Sequence, residues 1–236
     1  MASKEDFFDK TSRFLAKREG IDKTLKVLRY SARLAVALSP KDQELTKRLA
    51  SFEKSVGVSR KAFRLGKFLQ DVNSFRHSKT TDATVFLELL AYGGEGIYYF
   101  LEQFTWLIKT GALHKDLEER VAFASAFSEL VGYVGSIWLS YLKLQKLIKQ
   151  ERDLTEQLQK IRKEEGVTDP KLEGTLLSVR FQRNLRCALI VQDIADSVMA
   201  FNDVTGGRFK GFNNPMVLAL AGLTSGSISF YKNWNL

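Results

Sequence analysis

The sequence predicts an all-α, multi-helix integral membrane protein, with N-terminal amphipathic helices and about two transmembrane helices. Three observations carry this. Only three prolines occur in 236 residues, no run of period-two alternation is present, and two apolar segments in the second half have the length of a bilayer core.

The first helix is expected from about Lys4 to Lys17, with Phe7, Phe8, Phe14 and Leu15 inward and a turn at Gly20. A second carries Ile21, Leu25, Leu28, Ala32, Ala35 and Leu38 on one stripe and stops at Ser39-Pro40. Ser39 then suits the cap of a third helix, with Pro40 at its first position and Asp42 completing a capping box. Its stripe is Leu45, Leu49, Phe52 and Val56, and Gly57 ends it. Ser59 caps the next segment.

That segment, residues 59–77, writes a basic face and an apolar stripe into one stretch. Leu65, Phe68, Leu69, Val72 and Phe75 recur at spacings of three and four, as a helix lying in a membrane surface requires. Arg60, Lys61, Arg64, Lys67 and Arg76 are placed to hold lipid phosphates. A core helix of a basic bundle shows the same pattern. Charge distribution favours the membrane: residues 1–81 hold 19 Lys and Arg against 9 Asp and Glu, whereas the rest hold 17 against 18. Each cation near an anionic bilayer contributes about 1 kcal/mol. No zinc-finger, RNA-recognition or basic-zipper pattern accompanies the charge, so nucleic acid is not the expected partner.

Residues 83–108 are apolar except for Glu88, Glu95 and Glu102, which a spacing of seven puts on one helical face. These glutamates read either as the solvent side of a half-buried helix or as an acidic seam that pairs with a basic helix. Gly93, Gly94 and Gly96 mark a close backbone approach or a kink. Residues 121–142 carry one charge, Glu129, and residues 211–231 carry none. Spans are expected at 121–142 and 212–231, each with a seam of small residues: Gly132, Gly135 and Ser136 on one, Gly222 and Gly226 on the other. The seams are expected to face each other or a second copy, and Glu129 to face a seam or an aqueous cleft. Buried helices of a large soluble bundle are the alternative.

The connection, 143–211, begins as a charged helix with Leu144, Leu147, Leu154, Leu158 and Ile161 on a heptad seam interrupted by Glu151. A further helix from about Leu172 to Val204 bears Arg180, Arg183 and Arg186 early and Asp193, Asp196 and Asp203 later, a pattern that suits intramolecular pairing. Residues 1–81 then form a basic helical region, 82–120 an apolar helix and loop, and the whole chain a single domain.

The catalytic inventory is poor. His77 and His114 are the only histidines and Cys187 the only cysteine, without metal-ligand spacing, a disulfide framework, a nucleophile elbow or a paired-carboxylate motif. The expectation is no enzyme, no cofactor and no metal. The acidic start of the chain does not read as a secretory signal, Asn235-Leu236 is not a peroxisomal matrix address, and Ala2 excludes myristoylation.

Several blocks in order resemble the peroxisomal biogenesis factor 11 family in its plant-type form: KREGIDKTLKVLRYSARL, SRKAFRLGKFL, YGGEGIYYFLEQFTWLIKTGAL, ELVGYVGS, QDIADSVMAFNDV and YKNW. The resemblance covers nearly the whole chain. It implies a peroxisomal membrane protein that elongates and proliferates the organelle. In that picture an amphipathic helix inserts into the cytosolic leaflet, copies self-associate, and dynamin-type machinery cuts the tubules. The membrane-inserting helix of the family falls on Arg60, Lys61, Phe63, Arg64, Leu65, Lys67, Phe68, Leu69, Val72 and Phe75. Phe63 lies off the stripe by helical angle. Some family members are thought to form metabolite pores, so a conduit through Glu129 is a second expectation.

Overall fold

The structure is a computed structural model that describes residues 6–39, 42–77, 82–165 and 169–235. Among the described residues all regular structure is helical. Helix α1, Phe7–Ala16, starts where the Asp6 carboxylate accepts from the Asp9 amide at 2.8 Å. Helix α2, Arg18–Leu38, follows directly, because the chain turns at Lys17, not at Gly20. Gly20 lies inside α2 under the carbonyl of Phe14, where a Cβ would sit 1.9 Å from that oxygen. Phe14 is buried against Phe230 and Trp234, whereas Phe7, Phe8 and Leu15, expected inward, are exposed.

Helix α3, Gln43–Phe63, is capped by Asp42, whose carboxylate accepts from the Leu45 amide at 2.9 Å. Ser39 instead closes α2, and Pro40 lies outside the described residues. The helix runs through Gly57 and Ser59, which neither end nor start it; the Ser59 hydroxyl donates to the Ser55 carbonyl, as mid-helix serines do. The break comes later, at residues 64–67, where Gly66 takes φ +69°. Helix α4, Phe68–Arg76, follows. The 59–77 segment is therefore the end of one helix, a left-handed link and a second short helix.

Helix α5, Asp82–Glu88, passes through a five-residue π-helical stretch, Leu89–Gly93, into α6, Gly94–Lys109. The glycines serve as both kink and close contact. A Cβ on Gly94 would lie 2.5 Å from the Gly132 nitrogen, and one on Gly135 would lie 2.5 Å from the Ala91 nitrogen.

Helix α7, Glu118–Glu165, fuses the expected span at 121–142 with the charged helix after it; at 1.5 Å per residue it is about 70 Å long. Helix α8, Pro170–Val204, is capped by Asp169 and packs along α7. Glu151, the interruption in the heptad seam, is what α8 reads there: Arg180 Nε and Arg183 Nη1 donate to its two oxygens at 3.0 and 2.7 Å. Helix α9, Pro215–Asn235, packs on α2 and α8. Among the described residues α7 is the one helix long and apolar enough to cross a membrane. The serines and asparagines of α9 keep it below that standard.

Several helix faces invert the polarity of a protein folded in water. On α2 the inward residues include Asp22, Lys26 and Tyr30 beside Gly20 and Ala32, with Asp22 2 % exposed; of the expected core stripe Ala32 is buried, while Leu28 is 46 % exposed and Leu38 more so. Helix α6 buries Glu102 and Thr105 and exposes Ile97, Phe100 and Phe104; α8 buries Asp193 and Asp196 and exposes Val191 and Ile194. Apolar residues outside and paired charges inside suit a helix bundle solvated by lipid.

Because Gly94 meets backbone, which cannot swing aside, Gly94→Ala is expected to cost about 1–3 kcal/mol. Gly174 lies in α8 with open space where a Cβ would project, nothing approaching within 4 Å, so Gly174→Ala is expected to gain roughly 0.5–1 kcal/mol. Thermal unfolding of the two variants in detergent checks both signs.

Candidate functional site

Helix α4 presents the apolar row that the sequence suggests for membrane insertion. Leu69, Val72 and Phe75 share one outer face and Leu65 sits in the link before them; all four are exposed, Leu69 by 60 %. Phe63 and Phe68 are half-buried, and Phe68 rests on Phe100 with ring centroids 5.4 Å apart. The Arg18 guanidinium clamps the link by donating to the Leu65 carbonyl at 2.7 Å. Beneath α4, Asp71 is buried against Gly96, and its Oδ2 has no hydrogen-bond partner among the described residues.

The five cations proposed for lipid phosphate do not share one environment. Arg60 donates through Nε to Asp22 Oδ1 at 3.0 Å, and Arg64 Nε lies 3.4 Å from the same oxygen. Lys61 contacts the Glu102 carboxylate directly, and Arg64 Nη1 donates to the Tyr98 hydroxyl at 2.6 Å. Lys67 Nζ donates to the Tyr99 hydroxyl at 2.8 Å and lies 3.5 Å from Glu19. Arg76 alone among the five is exposed. In this arrangement the basic face is spent on carboxylates and phenols of α2 and α6 rather than turned to headgroups. Of the three glutamates at heptad spacing, Glu102 takes the pairing role, Glu95 is exposed, and Glu88 is half-buried.

The small residues of α7 and α9 do not meet each other. Gly132 and Gly135 receive α6 and the π-helical stretch, while Ser136 donates to Asp193 Oδ2 at 2.6 Å. Gly222 lies under the Tyr30 ring, and Gly226 faces Lys26 and Val27. Both seams are filled within one copy.

Between α2, α3, α6, α7, α8 and α9 lies a polar cavity of about 1450 Å³. Its lining follows α7 from Glu118 to Ser140, which at helical rise is about 33 Å. Glu129 faces it and accepts from the Tyr133 hydroxyl at 2.9 Å. Lys26 crosses it to donate to Asp196 at 2.9 Å. Sequence reasoning missed Asp22, Lys26 and Tyr30, since charged residues flanking an apolar stripe read as its solvent side. Among the described residues no group of three His, Cys, Asp or Glu is placed to hold a metal ion.

Comparison with known proteins settles the lineage. The family described as Peroxisomal biogenesis factor 11 (PEX11) matches residues 8–234. The chain belongs to that family. It is 47 % identical to Peroxisomal membrane protein 11-3 of Oryza sativa subsp. japonica over 98 % of its length and 90 % of that protein's. It is 40 % identical to Peroxisomal membrane protein 11A of Arabidopsis thaliana over 97 % of its length and 93 % of that protein's. With Peroxisomal membrane protein 11B of Arabidopsis thaliana the identity is 31 %, over 97 % and 98 %. No solved structure matches. As a PEX11 protein the chain is a peroxisomal membrane protein with a role in peroxisome biogenesis and proliferation.

Burial and the nearby Glu95 carboxylate push Asp71 up to about 7, with Lys67 opposing. An unfolded Asp titrates near about 3.9, so between roughly pH 4 and pH 7 the folded state holds the extra proton and its stability falls as pH rises. Docking of α4 should therefore loosen from about pH 4 to pH 7. Hydrogen exchange of residues 68–76, corrected for intrinsic rates, is expected to lose protection across that range in the native chain and to stay level in Asp71→Asn.

Proposed function

We propose that this PEX11 protein bends and elongates the peroxisomal membrane by laying the outer face of α4 into the cytosolic leaflet. The observation that carries the reading is the exposed row of Leu65, Leu69, Val72 and Phe75 on a short helix joined to α3 through the left-handed Gly66. Burying such side chains in acyl chains contributes on the order of 2 kcal/mol each. A helix held half in the headgroup layer widens one leaflet only, which is curvature. The docked α4 offers Arg76 to anionic phosphate; Arg60, Lys61, Arg64 and Lys67 reach lipid only where α3 and α4 part from α2 and α6. Copies self-associate so that many shallow insertions add, and dynamin-type fission machinery acts on the resulting tubules. Because the small-residue seams are filled inside one copy, contacts between copies fall to outer faces such as that of Val134, Trp138 and Tyr141 on α7. The N-terminal region lies on the cytosolic side, and no catalytic step is assigned to the chain.

A second reading, a conduit for small metabolites, is favoured by one specific feature. The polar cavity accompanies α7 for about 33 Å, close to the roughly 30 Å of a bilayer core.

Purified full-length protein mixed with vesicles of graded anionic lipid separates the two. The double substitution Leu69→Glu and Phe75→Glu is expected to abolish tubulation while circular dichroism stays helical; undiminished tubulation would refute the wedge. Under the conduit reading Glu129→Gln changes conductance across planar bilayers, whereas the α4 double substitution leaves it intact.

A further inference from the structure

The polar interior contains more positive charge than its carboxylates neutralise. Asp22 is shared among three cations: Arg60 Nε at 3.0 Å, Arg64 Nε at 3.4 Å and Lys23 Nζ at 3.0 Å. Glu102 is shared between Lys61 and Arg64. Glu19 is shared between Lys23 and Lys67, so five cations, Lys23, Arg60, Lys61, Arg64 and Lys67, meet three carboxylates, an excess of two positive charges in a largely buried place. Lys26 and Asp196 neutralise each other beside them.

Guanidinium donors there lack acceptors among the described residues. Arg60 is 4 % exposed and lines the cavity, yet its Nη2 has no hydrogen-bond partner among the described residues. Arg29, on the facing side of α2, lies against Gly57 one turn before Arg60; it is ion-paired with Glu53 at 3.5 Å, and its Nε is buried without a hydrogen-bond partner among the described residues. A buried, charged donor left unmade costs free energy that an arriving acceptor recovers. The planar guanidinium group is matched to phosphate oxygens in particular. The cavity lining also includes exposed residues, Lys54 and Arg208 among them, so the site has a way in from the surface.

We propose that this part of the cavity binds a phosphate group, with Arg60 Nη2 as the principal donor and Arg29 and Arg64 supplying further positive field. The inference concerns the interior and depends neither on α4 insertion nor on conduction. The phosphate belongs either to a free anion or to a lipid headgroup, and the two are told apart by the probe.

Full-length protein in non-ionic detergent is titrated calorimetrically with inorganic phosphate and, separately, with dihexanoyl phosphatidic acid. Saturable binding is expected, weakened about tenfold or more in Arg60→Lys, which keeps the charge facing Asp22 and removes Nη2. Arg48→Lys, at an exposed α3 cation paired with Glu44, is the control and should bind as the native chain does. If Arg60→Lys does not fold, Arg29→Gln takes its place and is expected to weaken binding in the same direction. Binding of both probes assigns the site to free phosphate, and binding of phosphatidic acid alone assigns it to a headgroup. No saturable binding of either by the native chain, or unchanged affinity in both Arg60→Lys and Arg29→Gln, would overturn the proposal.

Discussion

A charge buried on one helix has to be met by a charge from another, and that requirement closes this bundle. Lys26 of α2 reaches Asp196 of α8 across 170 positions of sequence, with Ser225 of α9 hydrogen-bonded to the same ammonium group. Asp22 holds α3 to α2 through Arg60, and Glu102 holds α3 to α6 through Lys61. Removing one partner of such a pair costs about 3–5 kcal/mol, although the intact pair adds little over a well-packed apolar substitute. The pairs therefore act on register: they fix which helix faces which. Glycines let the pairs close. Gly222 admits the Tyr30 ring next to Lys26, and Gly94 on Gly132 brings α6 onto α7.

With polar surface drawn inward, apolar surface is left outward, and both functional features follow from that. The α4 row is the part of the outer surface carried on a short hinged element, after a link that Arg18, Arg64 and Lys67 tie to its neighbours. The cavity is the inner consequence, since many ionised side chains do not pack without space between them. The same Asp22 cluster that turns Arg60 and Arg64 away from lipid leaves the interior short of negative charge.

Helical periodicity made the elements legible, down to the heptad of α7 and the arginines of α8 that meet Glu151. It could not show which face of each helix is inward. A period of 3.6 tells that Asp22 and Lys26 share one side of α2 and Leu28 and Leu38 another, and the rule that puts leucine inside holds only where water is outside. The partners of Arg60 and Lys61 are 38 and 41 residues away, beyond any local pattern. Gly66 is one glycine in an otherwise uninterrupted periodic stretch, and only its positive φ divides 59–77 into two helices. The small-residue seams were legible as places of close approach, but spacing within a helix carries no record of which helix approaches.

The most direct test of this arrangement is a charge exchange between Lys26 and Asp196 in the full-length protein, read by thermal unfolding in lipid nanodiscs. Lys26→Asp and Asp196→Lys are each expected to lower the melting temperature sharply by setting like charges together. Combined, they restore an opposite pair at the same place and should recover most of that loss. If the double variant is as unstable as the two losses added together, the helices are not joined through this pair and the inward-facing charge network is wrong.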